Sequence, residues 1–411
     1  MRRLLVLTIT LVFVAAMVSA GGGREEGVQT VRYWHTMSDP ENEQLAKVIA
    51  EFEAQNPGIR IDATQYAWDD FRNVILTSVA AGDAPETARL DIIWVPEFAR
   101  EGWLLPLDEV FPGFESLRED FFPGPLATAE WEGQYYGLPQ NTNTQVLLWN
   151  RGLFDAHGVA GPPETMEEFV TAARALSDSN RERYGYALGG TYFWAPAPLF
   201  YSMGGRIVDD AMTTAQGYIN GEESVRAFTL LVELFEDEAL SPNVLGGGIG
   251  TADGHGSGRY AMIIDGPWMV DIYRDTYPDF DVNFALVPAG PDGTNSSVVG
   301  GENAVIFRNA GNTDAAMLWL EHLVSEEAQR TMAQVGVMPT RAGLRGDPAM
   351  PEYFDIFMQQ LETAQARLPH PAWNQIDRAI DNAFQRMLRG DQSVQSALDQ
   401  AADEIDRLLA D

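Results

Sequence analysis

The sequence predicts an α/β chain built around mostly parallel sheet, and three observations carry that expectation. Short apolar runs alternate along the chain with amphipathic segments of helical length. From residue 28 to residue 95 their order is βαβαβ, which implies parallel strands with helices on both faces. At 411 residues the chain is long enough for two domains.

Residues 28–34 read as the first strand. Residues 41–56 follow as a helix with Leu45, Val48, Ile49 and Phe52 on one face, stopped by Pro57-Gly58. Residues 59–63 form the next strand, 71–81 a helix ending at Gly82, and 90–95 a third strand. Residues 135–139 and 145–149 are extended, and 166–176 and 222–235 are helical. An apolar strand at 260–264 ends in Asp265-Gly266-Pro267-Trp268. Strands at 282–287 and 304–307 precede one long helix at 313–335, and the remainder from Pro351 reads as mainly helical. The Gly-rich stretch 246–258 reads as a loop, without the GxGxxG spacing of a dinucleotide-binding turn.

Composition narrows the function classes. Acidic residues number 60 and basic residues 27, a formal charge of 27 − 60 = −33. Nucleic acid and anionic membrane surfaces are therefore poor partners, since both call for clustered Lys and Arg. The absence of cysteine excludes disulfides, thiol catalysis and Cys-ligated metal centres. Lys47 is the only lysine; salty surroundings and an Arg-favouring codon usage both account for that. At the N-terminus, Arg2 and Arg3 precede an apolar run at 4–18 and the small-x-small pattern Val18-Ser19-Ala20. This reads as a signal peptide over residues 1–20, followed by a flexible leader at 21–27. Gly21 stands where a lipidated cysteine would be, so a free, exported, periplasmic protein is expected.

The search for catalytic motifs finds no HExxH, GxSxG or P-loop, and the five histidines are scattered. No metal and no cofactor is expected. Adjacent carboxylates at Asp69-Asp70, Glu167-Glu168 and Asp209-Asp210 could serve a glycosidase, but a chain this acidic produces such pairs by chance. What stands out is a set of aromatic and polar residues where strands end, the place where ligands of parallel sheets bind. Thr36 and Ser38 follow Trp34 after the first strand, and Tyr66 and Trp68 follow the second. Asp91 and Trp94 lie on the third, Asn141 and Asn143 after Leu138-Pro139, and Trp268 after Gly266-Pro267. An aromatic face packs on the C–H face of a sugar ring, while carboxylates and amides bond its hydroxyls.

Beyond these positions lie ordered landmarks: Asn56-Pro57-Gly58, Ala81-Gly82-Asp83-Ala84-Pro85, Asp91-Ile92-Ile93-Trp94 and Tyr136-Gly137-Leu138-Pro139. Trp149-Asn150-Arg151-Gly152-Leu153-Phe154, Asp265-Gly266-Pro267-Trp268 and Val299-Gly300-Gly301 follow. In this order the chain resembles the extracellular solute-binding proteins of carbohydrate ABC transporters, the maltose- and trehalose-binding type. The resemblance implies a two-lobed periplasmic-binding-protein fold, each lobe a mostly parallel sheet flanked by helices, with a ligand cleft between them. Lobe 1 would comprise 28–138 plus 298–336 and lobe 2 139–297 plus 337–411, with crossovers near Pro139, Val298 and Pro339. It also implies a monomer that captures a carbohydrate and delivers it to membrane permease subunits.

Carried onto these residues, the resemblance makes Trp268 the main stacking aromatic and Asp91 a hydroxyl-binding carboxylate. Gly301 matches a cleft turn, Glu302 replaces a tryptophan found in some disaccharide binders, and Arg341 follows the third crossover. Glu43, Trp194 and Trp373 complete the expected ligand-binding set. A secreted carbohydrate-active enzyme (a glycosidase or lyase), or the same receptor fold carrying a polyamine or other non-sugar ligand, are the alternatives left open.

Overall fold

The computed structural model describes residues 27–410; the expected signal peptide and nearly all of the leader lie outside them. Twelve strands occur among the described residues: β1 (Gln29–His35), β2 (Ile59–Gln65), β3 (Thr87–Asp91), β4 (Glu130–Trp131), β5 (Gln134–Tyr135) and β6 (Leu138–Asn143), then β7 (Val146–Trp149), β8 (Tyr184–Ala187), β9 (Tyr260–Asp265), β10 (Asn283–Ala285), β11 (Val298–Ile306) and β12 (Gln365–Ala366). They form two main sheets and the small hairpin β4–β5.

The first sheet has the order β12-β11-β3-β1-β2, with β6 also paired to β11. Its βαβαβ portion is parallel as the alternation implies: β1 pairs with β2 and with β3 in parallel. The helix Asp39–Gln55 joins β1 to β2 and buries Leu45, Val48 and Phe52 against the sheet. Its first turn is fixed by Glu41, whose carboxylate accepts from the Ser38 backbone N–H at 2.6 Å. The sheet is nevertheless mixed, because β11 runs antiparallel to both β3 and β6. A strand entering from the other sheet needs no crossover helix and is free to run the opposite way.

The second sheet, β10-β7-β9-β8, is also mixed: β7 and β9 are antiparallel, β8 and β9 parallel. Helices Trp373–Leu388 and Val394–Leu409 pack together and against Glu222–Glu236, with Phe228 and Phe384 in edge contact at 5.1 Å.

Three segments pass between the sheets. The first is the step from β6 to β7; β6 stays in the first sheet through Asn143, so the chain changes sheet after Asn143 and not at Pro139. The second leads from β10 to β11. The third runs past Met338, bridged to Thr142, and Arg341, bridged to Phe121. Buried Gln329 secures it by accepting from the Thr340 and Arg341 backbone N–H groups at 3.0 and 3.1 Å.

Three sequence expectations differ from the structure. The third strand is Thr87–Asp91 and not 90–95, because the Asp91 carboxylate accepts from Ile93 N–H and turns the chain into a 3-10 turn, Ile92–Trp94. The long helix at 313–335 is two helices, Thr313–Leu323 and Glu326–Ala333, since Ser325 caps the second. The Gly-rich loop at 246–258 contains the short helix Thr251–Gly256.

Candidate functional site

A cleft between the two sheets consists of two adjoining chambers of about 490 and 570 Å³. Both are lined by Trp68, Asn143, Trp268 and Glu302, which form the boundary they share. The first chamber adds Thr36, Ser38, Arg89, Asn141 and Asp271. The second adds Asp91, Trp194, Gly301, Arg367, Trp373 and Asp377.

On the first-sheet side, the carbonyl ends of β1, β3 and β6 converge with β11. Arg89 on β3 is 5% exposed and pairs with Glu302 on β11 at 2.8 Å. Its Nη1 donates to Thr36 Oγ1 at 2.9 Å, and its Nε to Asn141 Oδ1 at 3.3 Å. Asn141 Nδ2 in turn donates to Glu302 Oε2 at 2.6 Å. Burial raises the Glu302 carboxyl above its ordinary range, while the Arg89 guanidinium pulls it back. Both protein partners take Oε2, leaving Oε1 without one among the described residues.

Asp91 repeats this arrangement. Its Oδ1 accepts from Ile93 N–H and from Arg367 Nη2, each at 3.1 Å, and Oδ2 has no protein partner among the described residues. Each carboxylate is thus tethered by one oxygen and offers the other to the cleft. Gly301 shapes the floor: at φ 132° a Cβ there would lie 2.4 Å from the Asn141 carbonyl oxygen.

Tryptophans supply the apolar faces. Trp68, 46% exposed, opens the helix Trp68–Ala81 and stacks on Trp94 at 5.6 Å. Trp268 follows β9 across the cleft, 6.4 Å from Trp194. The Arg367 guanidinium lies over the Trp194 ring at 5.0 Å, so one face of that indole is already covered. Asn143 Oδ1 is buried with no partner.

The cleft therefore gathers Thr36, Ser38, Trp68, Asp91, Asn141, Asn143, Trp194, Trp268, Gly301, Glu302 and Trp373 from the sequence-derived set. Four others stand apart. Glu43 is exposed on the helix Asp39–Gln55. Tyr66 packs between Trp34 and Phe71, and Trp94 is core beneath Trp68. Arg341 pairs with Asp120 at 2.9 Å and covers Phe121, outside both chambers.

Sequence reasoning missed Arg89, Asp271, Arg367 and Asp377. A charged residue inside the apolar run Ala88-Arg89-Leu90 was the available signal, since a buried strand admits one only with a partner. Arg367 carried none, because its partner Asp91 lies 367 − 91 = 276 residues away.

Known proteins resemble this chain in sequence and in overall fold. The family model described as bacterial extracellular solute-binding protein matches residues 38–330. A maltotriose-binding protein of Pyrococcus abyssi (strain GE5 / Orsay) is 26% identical over 335 residues, covering 79% of this chain and 69% of that one. A galactooligosaccharide-binding protein of Bacillus subtilis (strain 168) is 25% identical, covering 79% and 76%. Among solved structures, an ABC transporter solute-binding protein of Thermotoga lettingae TMO, bound with α-D-tagatose, superimposes with a TM-score of 0.83. It is 27% identical, with 93% of this chain and 100% of that one covered.

Proposed function

Because the chain belongs to the bacterial extracellular solute-binding proteins, we propose that it is the receptor of an ABC importer that captures a sugar or oligosaccharide in the interlobe cleft. The observation that carries this reading is the pairing of chemistries across the cleft. Asp91 and Glu302 each present one untethered carboxylate oxygen from the first-sheet side, and Trp268 presents an indole face from the second. Hydroxyls are directional donors that suit such oxygens, and the C–H face of a pyranose suits an indole. The ligands named for those relatives are saccharides, which supports the same class here.

Lobe 1 is then residues 28–143 with 298–336, and lobe 2 residues 144–297 with 337–410, closing about the three connecting segments. The protein works exported, as a monomer, and hands its ligand to membrane permease subunits without altering it. The scaffold tethers of Asp91 and Glu302 fit a binding role, since neither carboxylate is poised against a base or nucleophile.

A thermal-shift screen over mono-, di- and oligosaccharides tests the class: ligand at 100 times Kd adds about 2.7 kcal/mol of stability. Overnight incubation with the best binder, read by mass spectrometry, tests the chemistry. A shift with no saccharide, or protein-dependent cleavage of one, would remove the proposal.

A further inference from the structure

The two chambers share an imbalance of charge. The first is lined by Glu41, Asp271, Asp275 and Glu302 against Arg89, a formal 1 − 4 = −3. The second is lined by Asp69, Asp91, Glu302 and Asp377 against Arg367, again 1 − 4 = −3. Neither arginine is free to offset the surplus, because Arg89 is committed to Glu302 and Arg367 to Asp91. Asp271 pairs with Arg274, which lies outside the lining. The other carboxylates face no cation at ion-pair distance among the described residues. Glu41 accepts from the Ser38 backbone N–H and Asp377 from that of Phe193, at 2.6 and 2.8 Å.

The surplus comes from both sides of the cleft. Asp69 opens the helix Trp68–Ala81 beside the first sheet, with Asp91 and Glu302. Asp271 and Asp275 lie on the helix Met269–Thr276 and Asp377 on Trp373–Leu388, beside the second. Closing the lobes brings these like charges together and strips them of water, which is unfavourable unless a positive charge enters between them. Burial already pushes the Asp377 carboxyl above its ordinary range, although the Phe193 N–H and Arg367 hold it down. Two further observations point to a cation in the second chamber. Asp91 is only 7% exposed, yet its Oδ2 meets no protein group at the chamber wall. Trp68 and Trp268 line the same chamber, and indole faces attract cations. We infer that the cleft selects a positively charged saccharide: an amino sugar whose ammonium lodges among Asp69, Asp91 and Asp377, with uronic acids excluded. This rests on the receptor reading above and narrows its ligand.

The test varies charge on a fixed sugar skeleton. The probes are glucosamine, galactosamine and the β-1,4-linked glucosamine disaccharide, each beside its hydroxyl parent and its N-acetylated form, with glucuronic and galacturonic acids. Titration calorimetry at pH 6.5 and low salt is expected to show, on at least one skeleton, an amine bound about fivefold tighter than its parent. That is the upper range for an ion pair still open to water. N-acetylation, which keeps the nitrogen and removes the charge, abolishes the advantage, and the uronic acids bind weakest. Molar NaCl narrows the amine-to-parent ratio, and Asp69→Asn and Asp377→Asn each lower it. The wild-type ratio and its salt dependence decide even if a variant fails to fold. Parents that bind as well as their amines, or a ratio unmoved by salt, overturn the inference. So does a ratio unchanged in both folded variants. If none of these probes binds while another neutral saccharide does, the inference fails and the receptor reading stands; if no saccharide binds, both fail.

Discussion

Arg89 on β3 and Glu302 on β11 form a 2.8 Å ion pair inside the first sheet, and its outer edge is a wall of the cleft. Removing one member leaves the other charge buried and unpaired, which costs roughly 3–5 kcal/mol. Arg89→Met is therefore expected to lower unfolding free energy by about 3 kcal/mol at pH 7.5, and by less at pH 5, because lower pH favours the neutral Glu302 carboxyl that burial already promotes. Urea denaturation at the two pH values measures this. Equal losses at both would show that Glu302 finds another cation.

The stacked pair Trp68 and Trp94 should separate binding from stability. Trp94→Ala empties a core site and is expected to cost about 3–5 kcal/mol of stability. Trp68→Ala is expected to change stability by under about 1 kcal/mol and to weaken saccharide binding by about 1–3 kcal/mol. Calorimetric titration beside thermal melts decides, and a Trp68→Ala variant with wild-type affinity would take Trp68 out of the site.

Trp268→Ala is expected to weaken binding by about 1–3 kcal/mol while leaving a folded chain. Asp91→Asn should weaken it without abolishing it, because an amide keeps one acceptor while its charge-assisted bond to Arg367 is lost. Titration calorimetry with circular dichroism tests both. Unfolding of Trp268→Ala would make that indole a core residue.

Acid should destabilise the fold. Burial, aided by neighbouring Arg89, lowers His35 to about 4, and burial lowers His255 to about 3. The unfolded chain binds these protons near 6.5, so their stability contribution is full above 6.5 and lost as pH falls toward 4 and 3. Asp265 acts oppositely: raised to about 6, it favours folding most below 3.8 and loses that contribution as pH rises through 6. Two histidines outweigh one carboxyl, and His35 alone is worth about 3 kcal/mol at roughly 1.4 kcal/mol per pKa unit. Urea midpoints should fall from pH 7.5 to 4.5; a constant midpoint would contradict the burial of both imidazoles.

A formal charge of −33 implies self-repulsion that salt screens. The melting temperature is expected to rise between low and molar NaCl. A flat or falling curve would leave codon usage as the account of the single lysine.

The elements readable from sequence were those whose cause is local. The helix Asp39–Gln55 announces itself by Leu45, Val48 and Phe52 at helical spacing, and Trp268 by its place after Gly266-Pro267. What escaped depended on distant partners. Arg367 falls in a stretch that reads as helical, yet it follows β12, a two-residue strand created only by pairing with β11. Trp68 and Trp94 follow successive strands in equivalent fashion. Only packing, with one indole laid over the other, decides which is exposed. The split at Ser325 was legible in principle as a capping serine before Glu326-Glu327, but the uninterrupted helical spacing hid it.

The place of β11 bears on the order in which the chain can assemble. It lies between β3 and β6 in the first sheet, yet Glu302 is 302 − 91 = 211 residues beyond its partner Asp91. A polypeptide emerging from its N-terminus can pair β1 with β2 and β3 early, but must hold β3 with one open edge until residue 298 arrives. Closing so long a loop is entropically costly and slow. Truncation between β3 and β11 thus leaves the β3 edge unpaired, with Arg89 and Asp91 deprived of their β11 neighbours, and an open edge is a surface that invites aggregation; the arrival of β11 late in synthesis is what closes it.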